Sequence, residues 1–250
     1  MAELTQWEKE KYRRQIMIPE FGEEAQRKLK DASVLVTRVG GLGGPIALWL
    51  AAAGVGRLVI AHGGVVKPSN LNRQILMRGD AVGKPRIEQA KETLLGFNPD
   101  CQVTALDHNV TEENAREIVK TVDIVCASTP DFNERLWLNQ ACVELGKPMV
   151  NPGMDDMQAQ LTVFVPGKTP CLRCLMPHAP DSWEPYGFGV IGAVPRSLGA
   201  LAAMEAIKLI TGFGTPLLGR LLVYDCADMS FEIYELERDA SCTVCGHLWQ

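Results

Sequence analysis

Ser33-Val34-Leu35-Val36-Thr37-Arg38-Val39-Gly40-Gly41-Leu42-Gly43-Gly44 is the segment from which we infer the architecture of this chain. Its first five residues predict a buried strand, because they are mostly β-branched or apolar and precede a glycine cluster. An Ala- and Leu-rich stretch follows through Ala53 and predicts a helix. Backbone N–H groups of such a turn can approach a phosphate at the helix N-terminus, which makes Gly41 and Gly43 candidate ligand positions. Tight strand–helix packing without a ligand explains the same glycines, so both interpretations stay open.

Strands and helices alternate on either side of this glycine turn. Helices are predicted at 20–31, 85–97, 112–120 and 131–145, and further strands at 57–61, 101–106, 123–127 and 147–151. This alternation is typical of an α/β protein with a Rossmann-like, doubly wound and mostly parallel sheet. In such sheets the ligand crevice lies at the carboxyl ends of the strands.

The pattern changes after Asn151. An antiparallel strand is predicted at 158–165, a long apolar helix at 197–211, and a hairpin at 219–225 and 230–236. We therefore expect one domain over residues 1–250. Its nucleotide-binding half covers about 1–151, and an antiparallel C-terminal extension covers about 152–250.

Two Cys-x-x-Cys pairs lie in the C-terminal half. The first is Cys171 and Cys174, and the second is Cys242 and Cys245. Each pair offers two thiolates from a tight turn, and together they complete a tetrahedral shell suited to Zn²⁺. Four thiolates leave no open coordination position, so we expect a structural zinc that ties the C-terminus to the middle of the chain. Two unrelated reduced thiol pairs are the alternative.

Bulk composition excludes several classes of protein. The 250-residue chain has a formal net charge of −5 and no long basic stripe, which argues against nucleic acid as a partner. Its N-terminus is polar, and no run of 18 apolar residues occurs, so we expect neither a signal peptide nor a membrane span. The remaining cysteines fall in apolar contexts, which is typical of reduced thiols in the cytoplasm.

Several motifs resemble those of the ThiF/MoeB/HesA family of ubiquitin-activating-like adenylyltransferases, and most of all its MoeB members. The resemblance covers nearly the whole chain. It is carried by residues 12–20, the turn at 40–43, the segments 69–74 and 82–85, the pieces 189–192 and 205–208, and both cysteine pairs. The resemblance implies adenylation, with MgATP, of the C-terminal carboxylate of a ubiquitin-like sulfur-carrier protein. It also implies a homodimer.

The resemblance assigns roles to individual residues. Arg14 and Arg73 match arginines that bind the triphosphate, and the match for Arg14 reaches the ATP of the partner subunit. Ser69 and Asn70 lie in the same segment as Arg73 and offer neutral hydrogen bonds. Arg86 occupies the position of the family's catalytic lysine and keeps its positive charge.

Besides Arg86, the chain departs from the family pattern at four places. Arg38 stands where the nucleotide loop has its first glycine, and we expect its side chain to crowd the approach of the nucleotide. His62 stands where an aspartate holds the ribose hydroxyls and offers one weaker partner. Pro130 replaces the aspartate for Mg²⁺, which leaves Asp131, one position along, as a substitute. Residues 181–188 contain no cysteine, although many relatives use one there for sulfur transfer.

Three functions are consistent with this sequence. The first is an adenylating enzyme with an altered nucleotide site, in which Arg14, Arg73 and Arg86 carry the phosphate charge and either Asp131 or a carboxylate of a partner holds the metal. The second is a catalytically inactive, zinc-stapled protein that docks a ubiquitin-like protein or a related enzyme. The third is a nicotinamide-dependent dehydrogenase, against which the missing first glycine and the missing acidic residue after the second strand both argue. The loop 180–189, with Trp183 and Tyr186, is either a mobile lid over the crevice or a plain ordered loop.

Overall fold

The computed structural model describes residues 2–184 and 187–249, so Tyr186 of the expected lid lies outside the described residues. The strands are β1 (Ser33–Thr37), β2 (Arg57–Ala61), β3 (Gln102–Leu106), β4 (Ile124–Cys126), β5 (Met149–Asp155), β6 (Gln158–Phe164), β7 (Arg220–Asp225) and β8 (Ser230–Glu235). The helices are α1 (Gln6–Lys11), α2 (Arg13–Ile16), α3 (Gly22–Asp31), α4 (Gly43–Ala53), α5 (Arg86–Phe97), α6 (Glu112–Lys120), α7 (Phe132–Leu145), α8 (Leu172–Leu175) and α9 (Ala193–Thr211).

The described strands form one sheet in the order β3-β2-β1-β4-β5-β6-β7-β8. The first five are parallel to one another, and β5 to β8 are joined as antiparallel neighbours. The predicted doubly wound, mostly parallel sheet with an antiparallel C-terminal extension is therefore confirmed. The chain places β2 and β3 on one side of β1 and β4 and β5 on the other, so the strand order reverses next to β1. Ligand crevices form at such switch points.

Strand β1 is buried on both faces, which explains its continuous apolar sequence. Val34 and Val36 belong to a core shared with α3, α4, α5 and α9. Leu35 points to the opposite core, which contains residues of α6 and α7. Successive strand side chains alternate between the two faces, so a strand covered by helices on both sides needs apolar residues throughout.

The bounds of two predicted elements differ by several residues from the sequence prediction, for local reasons. Helix α9 begins at Ala193 rather than Ser197, and Pro195 lies in its first turn, where a helix needs no backbone N–H donor. Strand β5 continues past Asn151 to Asp155 because it pairs with β6 in a tight hairpin. Asp156 in that turn has a left-handed φ of 52°. Among the described residues, no helix is both long and apolar enough to cross a bilayer.

Candidate functional site

A cleft of ≈ 710 Å³ opens at the carboxyl ends of β1, β2 and β4. Its walls come from the glycine turn, the segment after β2, the start of α5, the turn after β4 and the segment before α9. The lining residues are Arg38, Gly40, Gly41, Leu42, His62, Gly63, Lys67, Ser69, Asn70, Arg73, Gln74, Arg86, Asn109, Ser128, Thr129, Pro130, Arg135, Met154, Phe188, Val190 and Pro195. The cleft thus lies where the sheet topology predicts a ligand.

The glycine turn brings α4 close to the strand ends. A Cβ atom at Gly43 would lie 2.6 Å from Ser128 Oγ and 2.8 Å from the Thr37 carbonyl oxygen, so only glycine fits there. A Cβ at Gly41 would meet the Arg73 side chain at 3.1 Å. Gly43 is therefore required for close packing, whereas Gly41 leaves room for the Arg73 side chain next to the N-terminus of α4. This helix terminus carries a partial positive charge.

Arg73 is held against this turn by its own segment. Its Nη1 donates to the Ser69 carbonyl oxygen at 2.7 Å and to Asn72 Oδ1 at 2.8 Å. Burial lowers its pKa from the ordinary value. Asn70 shapes the same segment, because its Oδ1 accepts the Lys67 backbone N–H at 2.9 Å. Lys67, Ser69, Asn70 and Arg73 thus form one short wall of the cleft.

His62 and Arg86 form a second polar group. Arg86 Nη1 lies 3.2 Å from His62 Nε2, and Arg86 Nη2 donates to the Val65 carbonyl oxygen at 2.7 Å. An arginine only donates, so Nε2 is the acceptor and Nδ1 carries the ring proton. Burial, then Arg86 and Arg38, lower the pKa of His62 to about 2. His62 is therefore neutral at physiological pH.

Arg38 adopts a left-handed backbone conformation, with φ 51°. Its guanidinium pairs with buried Glu134, at 2.6 Å from Nη2 and 2.7 Å from Nε to the same carboxylate oxygen. That oxygen also accepts the Thr129 hydroxyl at 3.0 Å. Burial raises the pKa of Glu134, and Arg38 opposes the shift. The side chain expected to crowd the nucleotide does line the cleft, and an acid beneath it fixes its position.

The turn after β4 places its carboxylate away from the lining. Asp131 is the N-cap of α7, where its Oδ1 accepts the backbone N–H groups of Asn133 at 2.9 Å and Glu134 at 3.2 Å. Pro130 lines the cleft in its place. The role of Asp131 as a substitute metal ligand stays a prediction, while its capping role is observed.

The loop before α9 is docked on this turn. Trp183 Nε1 donates to the Pro130 carbonyl oxygen at 2.7 Å. Its ring meets Phe132 edge-on and stacks on Phe188, with centroids 5.2 and 5.6 Å apart. Phe188 itself lines the cleft. Of the two interpretations of this loop, its described part favours an ordered wall of the cleft.

The cleft is cationic. Its lining includes Arg38, Lys67, Arg73, Arg86 and Arg135, and none of the described lining residues is an aspartate or glutamate. Arg135 is buried and donates to the Ala127 carbonyl oxygen and to Asn151 Oδ1, at 2.9 and 2.8 Å. Arg14 lies exposed in α2 and is not part of this lining, so its expected contact with a partner's nucleotide stays a prediction.

The four paired cysteines meet at one point, as the sequence predicts. Their sulfurs lie within 4.8 Å of one another, with Cys171 to Cys242 at 3.7 Å and Cys174 to Cys245 at 3.4 Å. Tetrahedral Zn–S bonds of about 2.3 Å place sulfurs about 3.8 Å apart, so the cluster fits Zn²⁺. These four cysteines, which we call the zinc staple, connect the C-terminal segment to α8 and pack against Val143 of α7.

Three cations of the lining, Arg38, Lys67 and Arg135, were not predicted as ligand groups from the sequence. Lys67 lies in the segment that carries Ser69 and Arg73, so its neighbourhood was a usable signal. Arg38 was interpreted only as an obstruction, because its pairing with Glu134 joins residues 96 positions apart. A partner at that distance leaves no local pattern.

Together these features define a doubly wound α/β protein with a cationic cleft at the switch point of the sheet and a cluster of four cysteines. The chain belongs to the ThiF family, whose family model matches residues 12–244. The predicted membership in the ThiF/MoeB/HesA family is confirmed.

Individual relatives extend over almost the whole chain. A heterocyst HesA protein of Trichormus variabilis is 51% identical and aligns with 99% of this chain and 92% of its own length. The sulfur carrier protein adenylyltransferase of Thermus thermophilus is 39% identical over 97% of this chain and 92% of its own. A crystal structure of E. coli MccB with ATP superposes with a TM-score of 0.80 and 28% identity, over 90% of this chain and 69% of that one.

Proposed function

We propose that this protein binds an adenine nucleotide in the cationic cleft and adenylates the C-terminal carboxylate of a ubiquitin-like sulfur-carrier protein. The observation that carries the proposal is the convergence of Arg73, Arg86 and the N-terminus of α4 on one cleft. Positive groups at this point suit a polyphosphate, because guanidinium forks and backbone N–H groups both bind phosphate oxygens. The adenylyltransferase and ATP-bound relatives support the choice of ligand and reaction.

In the proposed reaction, a carboxylate oxygen of the carrier attacks the α-phosphorus of ATP. One O–P bond forms, the bond to the bridging oxygen of the β-phosphate breaks, and pyrophosphate leaves with the bonding electrons. Negative charge builds on the phosphate oxygens during this step, and fixed cations stabilise it. Arg73 and Arg86 would supply that charge from within the chain, with Arg14 from a partner subunit.

The donor set of the cleft does not fit Mg²⁺. Proteins usually hold this ion through one or two carboxylates together with substrate phosphates. No carboxylate is present among the described lining residues, and Asp131 caps a helix. We therefore assign no step of the reaction to a metal ion.

Pyrophosphate exchange tests the activity. Zinc-loaded protein, ATP and a candidate carrier that ends in glycine should incorporate labelled pyrophosphate into ATP. A carrier lacking that glycine is the matched substrate control. Arg73→Gln should reduce exchange by about tenfold or more, since one charged hydrogen-bonding group is lost. Arg78→Gln should not, because Arg78 is exposed and pairs with Asp80 and Glu92 outside the cleft.

A second candidate function is docking without catalysis. It is favoured by the absence of carboxylates among the described lining residues. A protein that binds the carrier and the nucleotide but gives no exchange with any glycine-ended carrier would support it over adenylation. Exchange by the unmodified protein would exclude it.

The homodimer belongs to the same proposal. Trp49 of α4 and Leu201 and Met204 of α9 are exposed, although their helices pack against each other. A second copy of this chain would bury these large apolar side chains, as homodimer interfaces commonly do.

A further inference from the structure

The cleft gathers charge of one sign. Five cationic side chains line it, and no described lining residue is acidic. Among the neutral lining groups, His62 stays unprotonated because burial and two arginines oppose a third charge. The charged groups of the lining are therefore complementary to a polyphosphate and not to a cation.

The two carboxylates of the adjoining turn both have partners, although Glu134 Oε1 is buried and has no hydrogen-bond partner among the described residues. One oxygen of Glu134 accepts from Arg38 and from the Thr129 hydroxyl. Asp131 accepts the first free N–H groups of α7. A carboxylate that leaves such partners loses charge-assisted hydrogen bonds and exposes a helix N-terminus, so neither group is available without cost.

His62 offers no metal site either. Its Nε2 lone pair faces the guanidinium of Arg86, and a metal ligand needs that lone pair. Its other ring nitrogen carries the proton and has no hydrogen-bond partner among the described residues. The end of β2 thus presents a neutral ring next to a cation in this cleft.

We propose that this cleft binds the polyphosphate of its ligand in the metal-free form, with arginine and lysine side chains in place of a divalent cation. Metal-free ATP carries about four negative charges, whereas its magnesium complex carries about two, so a cleft rich in cations favours the former. Arg73, Arg86 and Lys67 are the groups we assign to the phosphates. The inference rests on the proposed function only in taking the polyphosphate to be part of a nucleotide.

Calorimetry on the full-length, zinc-loaded protein tests this inference. Three probes are titrated: ATP freed of metal on a chelating resin, ATP with excess MgCl₂, and metal-free tripolyphosphate. No soluble chelator is used, because it would attack the zinc staple. We expect metal-free ATP to bind at least as tightly as MgATP. Binding of MgATP that is tighter by about threefold or more overturns the inference.

Tripolyphosphate separates this inference from the proposed function. If it binds without metal while ATP binds in neither form, the cationic polyphosphate site stands and the adenine nucleotide is wrong. If none of the three probes binds, both proposals are wrong. If MgATP alone binds, the nucleotide stands and the metal-free inference fails.

A pair of variants at Pro130 gives an independent readout. Pro130→Asp introduces a carboxylate into the lining, and Pro130→Asn is the matched uncharged control. We expect the affinity ratio of MgATP to metal-free ATP to rise about tenfold in the aspartate variant relative to the asparagine variant. An unchanged ratio, together with a preference for MgATP in the unmodified protein, would show that the metal is already held by other groups.

Discussion

At the residue scale, His62 determines much of the charge balance of the cleft. The ring is buried, with only 6% of the residue exposed, and it lies between two arginines. A protonated ring there would add a buried positive charge close to Arg86 and Arg38. The folded protein therefore keeps His62 neutral far below the pKa at which an exposed histidine ionises.

This shift predicts a pH dependence of stability. The pKa of His62 falls from an unfolded value of 6.5 to about 2 in the folded chain, so the unfolded state binds the proton first. Stability is then present above pH 6.5 and is lost as the pH falls below it. When the pH is lowered from 7.5 to 5.5, protonation of His62 in the unfolded state should reduce the free energy of unfolding by about 1.4 kcal/mol.

Urea denaturation of the unmodified protein and of His62→Gln at both pH values measures this loss. The glutamine keeps an acceptor for Arg86 and does not titrate. The zinc cysteines titrate in both proteins, so the difference between them isolates His62. Equal pH dependence of the two proteins would contradict the assignment.

Asp131 gives a second prediction at this scale. Asp131→Ala should destabilise the chain by about 1 kcal/mol, because two N–H groups of α7 lose their acceptor. Asp131→Asn should lower the free energy of unfolding by no more than about 0.3 kcal/mol, since asparagine caps helices equally well. Thermal and urea unfolding of the two variants checks the difference. If both variants lower the free energy of unfolding equally, the negative charge of Asp131 rather than its capping hydrogen bonds stabilises the chain. Asp131 would then act on Arg135 or on a ligand.

The sequence predicted some of these residues and not others, for a physical reason. Arg73, Arg86 and His62 were assigned through the resemblance to the family, because each lies in or beside a segment that matches a family motif. The contact of Arg38 with Glu134 depends on how β1 and α7 pack, and the tie from Trp183 to Pro130 depends on how a loop folds back. Tertiary contacts of this kind have no local sequence signal.

At the element scale, the boundaries that local chemistry fixes agree closely with the predictions. Helix α7 begins after an Asp cap and ends at Gly146 in a left-handed conformation, and both residues are visible in the sequence. The short helices α1, α2 and α8 were not predicted, because one turn of helix carries too little periodicity to recognise.

The staple is the element on which the C-terminal segment depends. Cys171 and Cys242 are 71 positions apart, and a cross-link over a loop of that length stabilises the folded chain by about 4 kcal/mol. We expect Cys242→Ser together with Cys245→Ser to lose the zinc, to destabilise the chain by up to this amount, and to make residues 237–249 sensitive to protease. The sheet should survive, because the cysteines form a small cluster separate from the two main cores.

Elemental analysis, limited proteolysis and urea denaturation measure these three effects. Cys226→Ser is the matched control, since Cys226 lies outside the cluster and should leave one zinc per chain. Retention of zinc by the double variant would show that other residues complete the shell.

At the scale of the whole molecule, the proposed homodimer makes each cleft depend on two chains. Arg14 is exposed on α2 and does not line the cleft of its own chain. Arg73 does line it. In a symmetric dimer each cleft would combine Arg73 of one subunit with Arg14 of the other.

Mixing two inactive variants distinguishes this arrangement from a self-contained cleft. Arg14→Gln and Arg73→Gln should each lose high-affinity ATP binding. After the two are unfolded and refolded together with zinc, half of the dimers are mixed, and each mixed dimer has one cleft with both arginines intact. Calorimetry should then titrate about a quarter of the ATP sites of the unmodified protein. A mixture that binds no better than the separate variants would place both arginines in one chain or exclude the dimer, and refolded unmodified protein shows whether the procedure itself preserves the sites.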